Sequence, residues 1–199
     1  MEPPEVALYA GPGAELANDV EIVIQGKIPY KIIDANAIIT GDLEKFTLLI
    51  MPGGVTAHYI PNLRREGCNA IKSFLTMKGG KYLGICAGAY LAGTPELGVS
   101  QSKMIREAGI YNCEVELSAF SHPIFEGQKS AKIIVYYQNG PHIKPHPSEK
   151  SLALYEDRTS SVIEVKSGCL IFSWHPEKLP STVPILLNSI AYLLKKNKK

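Results

Sequence analysis

Cysteine is scarce in this chain. Four are spread over 199 residues, at positions 68, 86, 113 and 169, and no two form a CxxC pair. That spacing excludes the closely paired ligands of a structural zinc site and the dense framework of a small disulfide-stapled protein. Reduced thiols are expected, with no metal and no cofactor. An excess of charge of one sign is also missing: 21 Lys and Arg against 19 Asp and Glu leave a net +2, too weak a balance to argue for nucleic acid. No apolar run is long enough to span a membrane. The opening stretch MEPPEVALYAG lacks the basic segment and long apolar core of a secretory signal, and there is no N-x-S/T sequon. A cytoplasmic protein without nucleic-acid or membrane partners is the expectation. The basic run KKNKK at 195–199 reads as a solvated helix end.

Repeats and low-complexity linkers are absent too. With 45% hydrophobic residues the composition is that of a globular chain, and one domain over residues 5–196 is the simplest division. VALYA at 6–10, KIIDA at 31–35, FTLLIM at 46–51 and KYLGI at 81–85 are short apolar runs, two of them closed by Gly or Pro. Each predicts a strand. Between them, 14–25 carries Leu16, Val20, Val23 and Ile24 at helical spacing, and 61–78 carries Leu63, Ala70, Ile71, Phe74 and Leu75. Pro61 is expected to open that helix and Gly79-Gly80 to close it. Alternating buried strands and helices predict a parallel sheet covered on both faces. The later chain differs. AKIIVYY at 131–137, SLALY at 151–155, SVIEV at 161–165 and CLIFS at 169–173 read as strands, the last three separated by short turns, which predicts hairpins or a meander. Residues 181–196 form an amphipathic helix, with Val183, Leu186, Leu187, Ile190, Leu193 and Leu194 as its core face.

The stretch YLGICAGAY at 82–90 frames Cys86 between Gly84 and Gly88. A strand that turns sharply into a helix lifts one side chain above the sheet edge and needs small neighbours two residues away on either side. The start of a helix also favours a thiolate. A buried structural cysteine among glycines is the alternative. His175 follows the CLIFSW run and is therefore also expected just past a strand, with Glu177 two residues on to hold the imidazole. Pro52-Gly53-Gly54 follows FTLLIM. Glycines there let backbone N–H groups approach a substrate, and the Ala87 N–H would be the second donor of an oxyanion hole. Surface turns are the plain reading of both motifs. Taken together, three strand ends carry a nucleophile, an acid–base pair and oxyanion donors.

In that order, MPGG at 51–54, GICAG at 84–88 and HPE at 175–177, the sequence resembles the class I glutamine amidotransferase-like superfamily. The fuller wording LLIMPGG…GICAGAYLAG…SHPIFEG…FSWHPE is similar to the N-terminal domain of biotin–protein ligases, which also occurs as a stand-alone protein. The resemblance implies an α/β, flavodoxin-like three-layer sandwich: a mostly parallel central sheet, helices on both faces and an antiparallel extension in the C-terminal half. It also implies Cys86 as nucleophile, His175 as general base and Glu177 as its orienter. Glutamine-hydrolysing members commonly carry glutamine four residues after the cysteine; here that residue is Tyr90. No basic glycine-rich adenylate loop of the GRGRxG kind is present, so biotin ligation is not expected.

Two functional readings follow. One is a thiol-dependent amidohydrolase or amidotransferase-like enzyme acting on a small-molecule amide or acyl substrate, with a separate acceptor or synthase protein as partner. The other is a non-catalytic binding or regulatory module that keeps the fold. Tyr90, His58, Tyr137, Asn139 and Gly140 are the further candidates for a substrate pocket, with Gln138 and His142 beside them in the same run. A loop with an Asn-Gly turn is the plainer account of 137–142. His122 and His146 are given no role, and Trp174 either walls the pocket or packs against the helix.

Overall fold

The computed structural model of the chain describes residues 5–165 and 168–195. The first half alternates as expected: β1 (Val6–Tyr9), α1 (Ala17–Ile24), β2 (Tyr30–Ile33), α2 (Ala35–Ile39), β3 (Leu48–Met51), α3 (Thr56–Met77), β4 (Lys81–Ile85) and α4 (Ala87–Ala92). The second half is mainly strands: β5 (Lys103–Arg106), β6 (Ile110–Glu116), β7 (Lys132–Gln138), β8 (Pro141–Lys144), β9 (Lys150–Leu154), β10 (Ser160–Val165) and β11 (Cys169–Phe172), followed by α5 (Val183–Lys195). Of the basic run at 195–199, only Lys195 lies within the described residues.

All the strands join one sheet, in the order β2-β1-β3-β4-β11-β10-β9-β6-β7, with β8 branching from β10 and β5 pairing with β8. Strands β2, β1, β3, β4 and β11 are mutually parallel. Antiparallel pairing begins at β10 and continues through β9, β6 and β7. The fold is a three-layer α/β sandwich with a parallel centre and an antiparallel extension. Val6 and Leu8, Leu48 and Ile50, and Leu83 and Ile85 face one core with α1 and α5. Ala7 and Tyr9, Leu49 and Met51, and Tyr82 face the other with α2, α3 and α4. This is the period-two alternation of a sheet buried on both sides, and it explains why these runs are apolar at every position.

Register fixes the functional edge. β3 pairs Met51 with Gly84 of β4, and β11 pairs Phe172 with Ile85. The chain segments that follow β3, β4 and β11 therefore leave the sheet side by side at its carboxyl edge.

Three differences from the sequence reading have local causes. Helix α3 begins at Thr56, and Pro61 lies inside it rather than at its start. The Glu15 carboxylate accepts the Val55 N–H at 2.7 Å and so satisfies a donor at the new N-terminus. Helix α2 was not anticipated; Asp34 caps it by accepting the Ala37 N–H at 2.8 Å. In α5 the buried face is Ile185, Leu186, Ser189, Ile190 and Leu193, while Val183, Leu187 and Leu194 are only partly covered.

Candidate active site

Cys86 is the residue on which β4 turns into α4. Its backbone has φ 52° and ψ −101°, a conformation that costs a non-glycine residue energy and is kept only where the surroundings enforce it. The Cys86 N–H donates to Phe172 O at 2.8 Å, which ties the turn to β11. The flanking glycines are required sterically. A Cβ on Gly84 would lie 2.7 Å from Gly88 O, and one on Gly88 would lie 2.0 Å from Met51 O. The Gly88 N–H donates to Pro52 O at 3.1 Å, joining the elbow to the Pro52-Gly53-Gly54 turn. Two buried tyrosines brace the pair, Tyr82 donating to Gly88 O and Tyr59 to Pro52 O, both at 2.7 Å.

The glycine turn lies against the histidine. A Cβ on Gly53 would lie 2.5 Å from His175 Cε1. Gly54 has φ 151°, and its Cβ would meet Glu15 Oε2 at 2.1 Å, so glycine is needed on both counts. The N–H groups of Gly54 and Ala87 meet no acceptor among the described residues. Glu15 also contacts His58 Nδ1 at 3.2 Å. Burial alone would raise the Glu15 carboxyl; the N–H groups of Val55 and of Glu15 itself, with His58, hold it below the ordinary carboxylate value. His58 is exposed and faces Glu15.

His175 is fully buried, and its backbone N–H donates to Tyr136 O at 3.0 Å. Its Nδ1 lies 2.7 Å from Glu177 Oε1, with both side chains inaccessible to solvent. The carboxylate must accept, so Nδ1 carries the proton and Nε2 is left as the second functional nitrogen. Burial pushes the imidazole down, but the adjacent Cys86 and Glu177 side chains outweigh it and raise its pKa from 6.5 to about 10. In this arrangement the Cys86 thiol donates to Gln138 O at 3.2 Å and His175 Nε2 has no hydrogen-bond partner. The resting contact is therefore thiol to carbonyl, with the His175 imidazole beside it.

Six buried side-chain N or O atoms lack a partner among the described residues, and four belong to Tyr90, Trp174, His175 and Glu177. Unsatisfied buried groups are rare in interiors, and His175 Nε2, beside Cys86, is one of them. The Tyr90 hydroxyl lies beside the Glu107 backbone without completing a bond to it, and burial raises its pKa.

The other expected pocket residues have different positions. Tyr137 is fully buried, and its hydroxyl donates to Glu107 O at 2.9 Å and Gly140 O at 2.7 Å. It supports the turn after β7 from within the core and does not present a surface to substrate. Asn139 holds φ 52° at that turn and accepts the Gly109 N–H at 2.8 Å. Gly140 is pressed against β11, where a Cβ would lie 1.7 Å from Ser173 O. His142 stacks on Tyr155 at 4.3 Å and pairs with Asp157 at 3.0 Å, in a groove of about 850 Å³ that Cys86 does not line. Trp174 is buried edge-on to Phe172. Tyr136 and Glu15 went unrecognised in the sequence. Tyr136 packs edge-on to His175 with ring centroids 6.0 Å apart, and neither Tyr136 nor Glu15 lies in a recognisable motif. Among the described residues no group of His, Cys, Asp and Glu could hold a metal, and no helix is long and apolar enough to cross a membrane.

Residues 17–105 match the family model "Biotin-protein ligase, N terminal". That match spans Gly53, Gly54, Cys86, Ala87 and Tyr90 and ends before His175. No curated protein matches the sequence. Among solved structures, a protein described as a candidate GMP synthase component from Thermoplasma acidophilum superimposes with a TM-score of 0.76 at 15% identity, covering 100% of this chain and 98% of that one. PurLQS from Thermotoga maritima gives 0.72 at 16% identity, covering 96% and 99%. A glutamine amidotransferase from Thermotoga maritima gives 0.63 at 18% identity, covering 98% and 86%. The chain shares the overall fold of these structures, and the family-model match is confined to residues 17–105.

Proposed function

We propose that the protein is a thiol-dependent amidohydrolase or amidotransferase-like enzyme in which Cys86, His175 and Glu177 act as a triad. The observation that carries this reading is the buried His175–Glu177 pair, with Nδ1 and Oε1 2.7 Å apart, set beside a cysteine held at φ 52° on a strand-to-helix turn. A structural cysteine needs neither the strained turn nor a buried, oriented imidazole.

In the proposed reaction Cys86 rotates away from Gln138 O with its proton held on His175 Nε2, the thiolate–imidazolium pair that an imidazole pKa of about 10 favours. The thiolate attacks the amide carbonyl carbon, forming a C–S bond and an oxyanion received by the Gly54 and Ala87 N–H groups. His175 then protonates the departing nitrogen, the C–N bond breaks and a thioester remains. Water attacks the thioester as His175 takes its proton, and the C–S bond breaks to give acid and free thiol. Glu177 keeps Nδ1 protonated and stabilises the imidazolium throughout.

Tyr90, in the position where glutamine hydrolases carry glutamine, favours an amide other than free glutamine. If the released ammonia is transferred, the acceptor is a separate protein. The candidate GMP synthase component in the structural comparison supports that partner class. Cysteines that form no disulfide among the described residues suit a reducing, cytoplasmic setting. The test is a screen of small primary amides and esters with Cys86→Ser as control. Hydrolysis by wild type that the variant lacks supports the reading; hydrolysis that survives in Cys86→Ser refutes it.

A further inference from the structure

Helix α3 contains a second feature that the proposed chemistry does not use. Within it Arg64 has φ 55° and ψ −176°, a region essentially reserved to glycine, and the helix turns a corner there. Beside that corner lies a hollow of about 490 Å³ lined by Ile60, Arg64, Arg65, Cys68, Asn69, Lys72 and, from the loop after α4, Glu96.

The charge in that hollow is one-sided. Arg64, Arg65 and Lys72 face a single carboxylate, Glu96, and none of the four forms an ion pair among the described residues. Three unpaired cations lining one hollow repel one another and are stabilised by a bound anion. Two guanidinium forks and an ammonium match the oxygens of a phosphate better than a single carboxylate. The volume exceeds that of a bare phosphate and falls among small-molecule pockets. The Asn69 amide and the Glu96 carboxylate can serve hydroxyl groups, and Ile60 supplies an apolar wall.

We propose that the corner of α3 binds a phosphate-bearing small molecule through Arg64, Arg65 and Lys72. The site is separate from Cys86 and does not depend on the proposed catalytic reading. With a chain charge of only +2, a nucleic-acid backbone is a poor occupant.

The test is calorimetric titration with inorganic phosphate and pyrophosphate at fixed ionic strength, with chloride as the control anion. Arg64→Gly is the decisive variant, because glycine accepts this backbone without strain while the cation is lost. It is expected to melt no lower than wild type and to bind pyrophosphate at least tenfold more weakly. Arg65→Gln and Lys72→Gln are expected to weaken binding several-fold, and Glu96→Gln to strengthen it. Cys86→Ser should bind as wild type. Three results overturn the proposal: no saturable binding of either anion, an Arg64→Gly variant that binds like wild type, or a loss as large in the distant Lys150→Gln variant as in Lys72→Gln.

Discussion

Gly53 and His175 are packed so closely that a methyl group on Gly53 would lie 2.5 Å from Cε1 and 3.2 Å from Nδ1 of the imidazole. The glycine of the turn after β3 therefore sets the position of the ring that follows β11. Gly53→Ala is expected to push the imidazole away from Cys86 and to lower kcat/KM for the Cys86-dependent reaction by about 100-fold, the cost of misplacing a catalytic group by an ångström. Kinetics measured beside a melting curve check this. A variant that melts near wild type but keeps full activity would show that the contact does not position the base.

The His175–Glu177 pair makes stability depend on pH. The folded imidazole titrates near 10, above its ordinary 6.5. A raised folded value means that the contribution is complete below about 6.5 and is lost as pH rises through about 10. Glu177→Gln is expected to destabilise the protein by roughly 2–4 kcal/mol at pH 6, where it leaves a buried imidazolium without its carboxylate. The gap to wild type should narrow towards pH 10. Denaturant titrations at the two pH values measure it; a gap that widens with pH would reverse the assigned sign.

Gly140 has no room for a side chain, since its Cβ would sit 1.7 Å from Ser173 O. The obstacle is backbone and cannot rotate away. Gly140→Ala is expected to lower the melting temperature by several degrees, the response to overpacking of about 1–3 kcal/mol in a chain of this size. An unchanged melting temperature would mean that the turn after β7 is looser than the packing indicates.

Tyr90 tests the pocket. Its hydroxyl is buried without a partner, so Tyr90→Phe removes an unsatisfied group and should leave stability unchanged or raise it by up to about 1 kcal/mol. If the hydroxyl meets substrate, KM rises several-fold while kcat holds. Tyr90→Phe with lower stability and unaltered KM would place the hydroxyl in the fold alone.

The parallel half of the sheet and its edge were legible because each strand there is a short apolar run, with Gly or Pro following β1 and β3 and the elbow glycines around the end of β4. The strand ends that converge on Cys86 could be read for the same reason. Other elements left no such trace. ANAII at 35–39 continues an apolar strand without a break, and only the Asp34 cap marks it as helix. IYNCEVE at 110–116 is exposed along most of its length, so no alternation announces β6. The start of α3 depends on Glu15, forty residues earlier, and overrides the local signal of Pro61. The contact of Cys86 with Gln138 is made by a carbonyl, and a backbone group has no signature in sequence.

The central claim is that Cys86 is a reactive thiol because His175 stands beside it. The most direct measurement is the rate of iodoacetamide alkylation at each cysteine, followed by peptide mass mapping in wild type and His175→Ala. Exposure alone favours Cys113, which is half-buried where Cys86 is 5% exposed. Burial, however, pushes the Cys113 thiol up to about 11 and raises Cys68 as well, and Cys169 is fully enclosed. The account predicts that Cys86 is alkylated first and that His175→Ala slows it at least tenfold without changing the order of the others. Alkylation of Cys113 ahead of Cys86, or a Cys86 rate indifferent to His175→Ala, would contradict it.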